Sequence, residues 1–243
     1  TPVSGEVLPE AVSFDGTNDY LSRSSDMTGN VDSKTFTFSA WFYLADAAGS
    51  NNIFESAGVS SREFRINANT GDFSLQAHDS ADSVNLVINA APFLFADNTF
   101  YHMLISVDLS DTGKRSMYIN DEIFGVSFST YVDSAIDFTV DNWRIGERNT
   151  TSQLVEGRLS NVFLDYTYRD LSTTANRRLF IDADGKPSDT IPSSPILYLP
   201  MTDAATAGSN SGTGGDFTVN GVLATAERGP NQDNCSASTF DGS

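Results

Sequence analysis

Asp15, Asn18 and Asp19, in the stretch FDGTNDY, could present three oxygen donors from a single turn. Carboxylate and amide oxygens are what calcium takes, so a structural calcium ion is the metal reading for this turn. Asp182-Ala183-Asp184-Gly185 matches half of a calcium loop, but two residues before Asp182 stands Phe180, which cannot coordinate. A turn held by aspartate side chains is the plainer reading there. Aromatic rings near turns offer a second chemistry. Trp143 lies between Asn142 and Arg144, and Tyr131 and Tyr20 also lie near turns. Such rings can form a platform for sugars, although for Trp143 core packing is the first reading and the platform the second. Trp41 sits inside a strand and reads as buried.

Catalysis has less to work with. Acid–base cleavage of a glycosidic bond needs two carboxylates flanking it. Spaced as E-x-D-x-E on one strand, they would share a face. No such string occurs, and the eight Glu are never paired in this way. His78 and His102 are the two histidines, and neither has a recognisable Ser/His/Asp setting. His102, within FYHMLIS, reads as a packed or hydrogen-bonded strand residue. The expectation is a protein that is not an enzyme.

The sole cysteine, Cys235, can form no intrachain disulfide and reads as inert near its terminus. Lys plus Arg is 14 and Asp plus Glu is 32, so the net charge is 14 − 32 = −18. That field repels phosphate backbones and anionic membranes, which excludes general nucleic-acid binding. No run approaches the ~18 apolar residues of a spanning helix, so no membrane insertion is expected. No signal peptide opens the chain, and Thr1 fits simple loss of an initiator Met, an expectation of cytoplasmic synthesis.

The elements that position these residues follow a period of two. In TFTFSAWFYL (35–44), Phe36, Phe38, Ala40, Phe42 and Leu44 share one face. That alternation predicts a strand with those residues toward the core. Large groups on its other face predict a central strand. Similar runs recur at 64–67, 73–77, 84–89, 100–108, 115–120, 142–146 and 158–166, punctuated by turn residues such as Asn120-Asp121. Strands this frequent, without helices between them, predict an all-β antiparallel sandwich. One short helix is expected near 172–181, capped by Ser172, with Leu171, Ala175, Leu179 and Phe180 on its apolar side. PILYLP (195–200) reads as an edge strand and FTVNGVL (217–223) as a last strand.

SFDGTNDYL (13–21), TFSAWFYL (37–44), RSMYIND (115–121), WRIGERN (143–149) and VEGRLSNVFLDY (155–166) come in the order and spacing of laminin-G-like domains. The chain therefore resembles the concanavalin A-like lectin/glucanase superfamily, with Asp121 standing where glycine is usual. The resemblance implies a jelly roll, and such domains often bind calcium. In the pentraxin branch, calcium ligands would fall near residues 60–63 and 147–149. Glu147 is the one acid at the second place. NRRLFIDADGKPSD (176–189), PILYLP and NSGTGGDFTVNG (210–221) resemble the extension that such domains carry in tailed-bacteriophage virion proteins.

The resemblance implies a non-enzymatic virion component, made in the bacterial host cytoplasm. It would contact other virion proteins and further copies of itself, and host surface polysaccharide. The alternative is a receptor-binding lectin module, and a third reading is a glycan-active enzyme. The expected organisation is an N-terminal arm (1–10), a sandwich (11–183) and an extension packed on it (184–243). Asn149-Thr150-Thr151 and Asn234-Cys235-Ser236 match glycosylation sequons, inert in a protein made in bacteria.

Overall fold

A computed structural model describes residues 10–57, 63–69, 72–90, 95–148 and 153–233. Nearly all of the expected arm, residues 60–62, both sequons and Cys235 lie outside the described residues. Among the described residues the strands are β1 (Val12–Asp15), β2 (Tyr20–Arg23), β3 (Thr35–Leu44), β4 (Asn51–Ala57), β5 (Glu63–Asn69), β6 (Asp72–His78), β7 (Val84–Ala90) and β8 (Phe100–Asp108). They continue with β9 (Arg115–Ile119), β10 (Glu122–Ile123), β11 (Ser127–Tyr131), β12 (Asn142–Ile145), β13 (Glu156–Asp165), β14 (Leu197–Leu199), β15 (Thr218–Asn220) and β16 (Ala224–Thr225). All pair antiparallel into two sheets, which is the expected sandwich. The first runs β10-β9-β8-β3-β13-β1-β16, with β14 also on β13; the second runs β11-β7-β6-β5-β4-β12-β2-β15.

The facing of β3 is as its alternation predicts. Phe36, Phe38, Ala40, Phe42 and Leu44 are buried in the core between the sheets. Phe36 meets Phe64 edge to face at 5.1 Å between ring centres, and Phe38 meets Phe54 at 5.3 Å. Such pairs add directionality to the burial of apolar area. β3 lies between β8 and β13, and Gly157 permits the second contact. A Cβ there would stand 2.0 Å from the Tyr43 carbonyl oxygen.

The outer face of the first sheet is covered. Leu104, Tyr118 and Phe163 point outward and are buried beneath Leu171 and Phe180. The predicted helix shrinks here to α1 (Thr174–Arg177), preceded by Thr173, whose side chain makes no cap bond. Ser172 is instead held by Asp170, Oγ to Oδ1 at 2.6 Å, and Ala175 is exposed. One turn suffices to lay Leu171 and Phe180 on the sheet, and Phe180 meets Phe163 at 5.0 Å. Trp41 stacks on His102 on this same face, 4.8 Å between rings, and both are buried.

The segment after residue 184 does more than lie on the sandwich. β14 takes up pairing along β13 where β1 leaves off, while β16 extends the first sheet and β15 the second. Leu197, Leu199, Met201, Ala207, Phe217 and Leu223 belong to the central core. The turn at Asn120-Asp121 has φ of 51° and 68°, the left-handed region that favours glycine. Asp121 is retained there while two arginines hold its carboxylate: Arg177 Nε at 2.5 Å and Arg178 Nη1 at 2.8 Å. Burial would raise its pKa, but these hydrogen bonds outweigh that and lower it.

Candidate functional site

Two adjacent cross-strand rows in the second sheet show how its faces divide. Strand pairing places Leu21, Ile145, Phe54, Ile66, Leu75, Ile88 and Phe128 in one line across the sheet, facing the core. One residue over, the line reads Ser22, Arg144, Glu55, Arg65, Gln76, Val87 and Thr130. A shift of one residue reverses the side chain, so this second line faces outward. A parallel outward line contains Asn52, Asn67, Ser74, Asn89 and Ser127, one from each of β4, β5, β6, β7 and β11. The outer face of this sheet is therefore a polar floor of amides, hydroxyls and matched charges.

The centre of the floor is bonded in detail. Arg144 reaches Glu147 (Nη1 to Oε2, 2.7 Å) and Asn142 (Nε to Oδ1, 3.1 Å), and its guanidinium lies 4.8 Å from the centre of the Tyr20 ring. Asn52 Nδ2 donates to the Glu147 carbonyl at 2.7 Å and to Glu55 Oε2 at 3.3 Å. Burial pushes the Glu147 pKa up, and Arg144 offsets part of that rise. Gln76 Nε2 donates to His78 Nε2 at 2.8 Å, while His78 Nδ1 faces Asp82 at 3.1 Å. The Oδ1 atoms of Asn52 and Asn67 have no hydrogen-bond partner, although both residues are more than nine-tenths buried. Buried acceptors of this kind are uncommon, because leaving one unpaired costs free energy.

The sequence candidates divide among separate places. Tyr20 is half-buried and lies on this polar face, beside Arg144. Trp143 is corrected from platform to core: it is fully buried against Phe54, and Nε1 donates to the Val140 carbonyl at 3.0 Å. The alternation in NWRI turns Trp143 and Ile145 inward and leaves Arg144 outward. Tyr131 stands on the far edge strand, its hydroxyl donating to the Asp108 carbonyl at 2.7 Å and its ring packed on Arg115. The three aromatics form no common platform.

The metal candidates share one hydrogen-bonded turn. Asp15 Oδ1 accepts from Thr17 N (2.8 Å) and Asn18 N (3.1 Å), which lowers its pKa. Asp19 is buried and accepts from Asp15 N (3.1 Å) and Val222 N (2.8 Å). Asn18 is exposed beside them. Backbone amides thus bond Asp15 Oδ1 and both Asp19 carboxylate oxygens and hold the turn. Asp182 Oδ1 likewise accepts from Asp184 N and Lys186 N, each at 2.8 Å, the turn expected there. Among the described residues, no group of three or more His, Cys, Asp or Glu is placed to hold a metal. Of the first pentraxin-like position only Glu63 is described; it opens β5 opposite Ala57, whereas Glu147 follows Ile145, which pairs with Phe54.

A cavity of about 630 Å³ sits at the far edge of the first sheet, lined by Lys114, Ser116, Tyr118, Ile123, Tyr168 and Asp170. Its ammonium is already paired with Asp108 at 3.2 Å. No helix among the described residues is long and apolar enough to cross a membrane. Sequence reasoning missed Glu55, Arg65, Gln76 and the amide line as a site. The signal was a polar residue between apolar ones in FRI and LQA, but its meaning depends on which way the sheet faces.

Residues 15–168 match the family model Laminin_G_3, described as concanavalin A-like lectin/glucanases superfamily. Among solved structures, the fold is similar to a Bacteroides ovatus ATCC 8483 protein assigned as carbohydrate binding, with 16% identity and a TM-score of 0.58. That match covers 91% of this chain but only 61% of the Bacteroides chain. It is also similar to a heptameric SAP-like pentraxin from Limulus polyphemus, with 14% identity, a TM-score of 0.55, and coverage of 90% and 94%. At these identities the likeness concerns the fold. No curated protein matches in sequence.

Proposed function

Because the chain belongs to the concanavalin A-like lectin/glucanase superfamily, we propose that it is a non-catalytic carbohydrate-recognition module that presents the outer face of its second sheet to glycan. The observation that carries this reading is the polar floor itself. The first sheet's outer face has its apolar groups buried under residues 171–180, whereas the second sheet turns amides, hydroxyls and paired charges outward. Dense hydrogen-bonding capacity with an aromatic at its margin, here Tyr20, suits sugar hydroxyls and the apolar faces of sugar rings. The carbohydrate binding assigned to the Bacteroides protein agrees with it. Fold alone would be a weak reason; the site is the stronger one.

The virion setting rests on the strings at 176–189, 195–200 and 210–221 alone. In the structure these supply Phe180 over the first sheet, β14, and β15 with the loop leading into it, so folding already gives them a role. Recognition of glycan is accordingly the main reading, whatever particle or surface displays the module.

The test is a glycan array probed with the full chain and with Gln76→Ala and Arg144→Ala. Binding that both variants weaken, with thermal stability kept by Gln76→Ala, is the expected result. An array on which the full chain binds nothing would overturn the proposal.

A further inference from the structure

We propose that the cavity beside β9 and β10 is a second ligand site that takes an organic cation, with an ammonium or guanidinium head against Asp170 and an apolar stem on Ile123, Tyr118 and Tyr168. It is separate from the polar floor and does not rest on the carbohydrate-recognition reading. Three observations carry it: the room, the apolar walls and the sign of the charge left unmatched.

The cavity opens on the outer face of the first sheet, the opposite side of the sandwich from the floor. Tyr118 points outward there, packed with Leu171, and Ser116, two residues before it on β9, shares its face. Ile123 pairs with Tyr118 across the ladder of β9 and β10, so it also turns outward. Tyr168, Asp170 and Ser172 form the opposite wall. The volume of about 630 Å³ lies within the ~300–1,000 Å³ usual for small-molecule sites. Ile123 is 71% exposed at the rim, and an apolar side chain so placed gains from being covered. Both tyrosines already attract cations. Arg177 lies 4.8 Å from the centre of the Tyr118 ring, and Lys114 Nζ lies 5.9 Å from that of Tyr168.

The charges select the class of ligand. Lys114 Nζ stands 3.2 Å from Asp108 and 4.0 Å from Asp111, so its charge is already matched. Arg115 pairs with Val107, a core residue, so its guanidinium turns to the other side of the sheet, where it lies on Phe128 and Tyr131. Asp170 is exposed, and its Oδ1 accepts from Ser172 N (3.0 Å) and Ser172 Oγ (2.6 Å). These donors are neutral, and they lower its pKa and keep it ionised. Among the described residues no ion pair reaches it. Burial raises the pKa of the Tyr168 hydroxyl, and Asp170, Asp108 and Asp111 raise it further against Lys114. The field at this wall is therefore negative, which favours a cation over an anion.

The experiment is an amide NMR titration of the full chain with phenethylamine, with 2-phenylethanol and 3-phenylpropionate as neutral and anionic compounds of similar shape. Phenethylamine should bind with a dissociation constant of about 1 mM or below. The alcohol should bind about fivefold and the carboxylate about tenfold more weakly. Shifts should cluster at residues 113–123 and 168–172. Asp170→Asn keeps an oxygen for Ser172 while removing the charge, and should reduce the amine to the affinity of the alcohol. Ile123→Ser, at an exposed position, should weaken amine and alcohol alike by about threefold, with melting temperature unchanged. Shifts scattered over the acidic surface overturn the inference, as does equal binding of the three compounds or an amine preference that survives Asp170→Asn. A capped Gly-Lys-Gly peptide carries the stem of butylamine. If the peptide binds about tenfold tighter than butylamine, the cation belongs to a side chain of a partner protein; if the two bind alike, it is a free amine.

Discussion

His102 offers a measurable consequence of burying a titratable group on a covered sheet face. It is fully buried, stacks on Trp41, and shares a 2.9 Å hydrogen bond between Nε2 and Ser39 Oγ, while Nδ1 has no partner. Burial lowers its pKa from 6.5 to about 3, against the opposing charge of Asp121. The unfolded chain therefore takes up a proton that the folded chain refuses. Its contribution to stability is complete above the unfolded pKa and is lost as pH falls from about 6.5 toward 3. From pH 8 to pH 5 the loss works out at about 2 kcal/mol for this residue alone. For a chain of this length that is a fall of about 4–8 °C in melting temperature.

His102→Gln keeps an amide for Ser39 but removes both the ring and the titration. It should be less stable than the parent by about 1–3 kcal/mol at pH 8, because the Trp41 stack and some packing are lost. By pH 5 the gap should have narrowed by about 2 kcal/mol, since only the parent carries the buried imidazole. Urea unfolding of both proteins at pH 8, 7, 6 and 5 measures the gap directly, and titrations elsewhere cancel in the difference. A gap that stays constant across that range would refute the reasoning, for it would mean that the folded and unfolded chains protonate His102 alike.

Phe38→Ala removes a fully buried ring from the central core and should cost about 3–5 kcal/mol in chemical denaturation. A cost below about 1 kcal/mol would mean that the core collapses around the gap. Gly157→Ala should prevent close pairing of β13 with β3, given the 2.0 Å approach to the Tyr43 carbonyl. Loss of soluble folded protein is expected, and a variant with unchanged stability would contradict the close approach. Incubation with β-glucans should release no reducing ends, since hydrolysis with either stereochemical outcome needs a flanking carboxylate pair. Turnover that vanishes when a single Asp or Glu is replaced would reverse that expectation.

Much of this was legible in the chain itself. The alternation of TFTFSAWFYL determined both its strand and its facing, because side chains in a strand have a period of two and only one face there is uniformly apolar. The absence of an E-x-D-x-E string and the excess of acid were equally plain, as both are facts of composition and spacing. The strand β4 was not legible: NNIFESA mixes amides and a carboxylate among its apolar residues, and its burial comes from neighbours on both sides. Trp143 stood between packing and platform for a related reason. Its flanking polar residues fit either, and only the pairing of β12 with β4 and β2 shows that Asn142 and Arg144 face outward and the ring inward. Asp15, Asn18 and Asp19 were legible as oxygen donors of one turn, whereas the bond from Val222 N to Asp19 depends on a segment more than 200 residues away. The polar floor is the clearest product of tertiary structure. Asn52, Asn67, Ser74, Asn89 and Ser127 are scattered over 75 residues of sequence, and only hydrogen-bonded register places them in line. Local pattern specifies which residues a strand turns to either side. Which side stays open depends on what the rest of the chain lays over it.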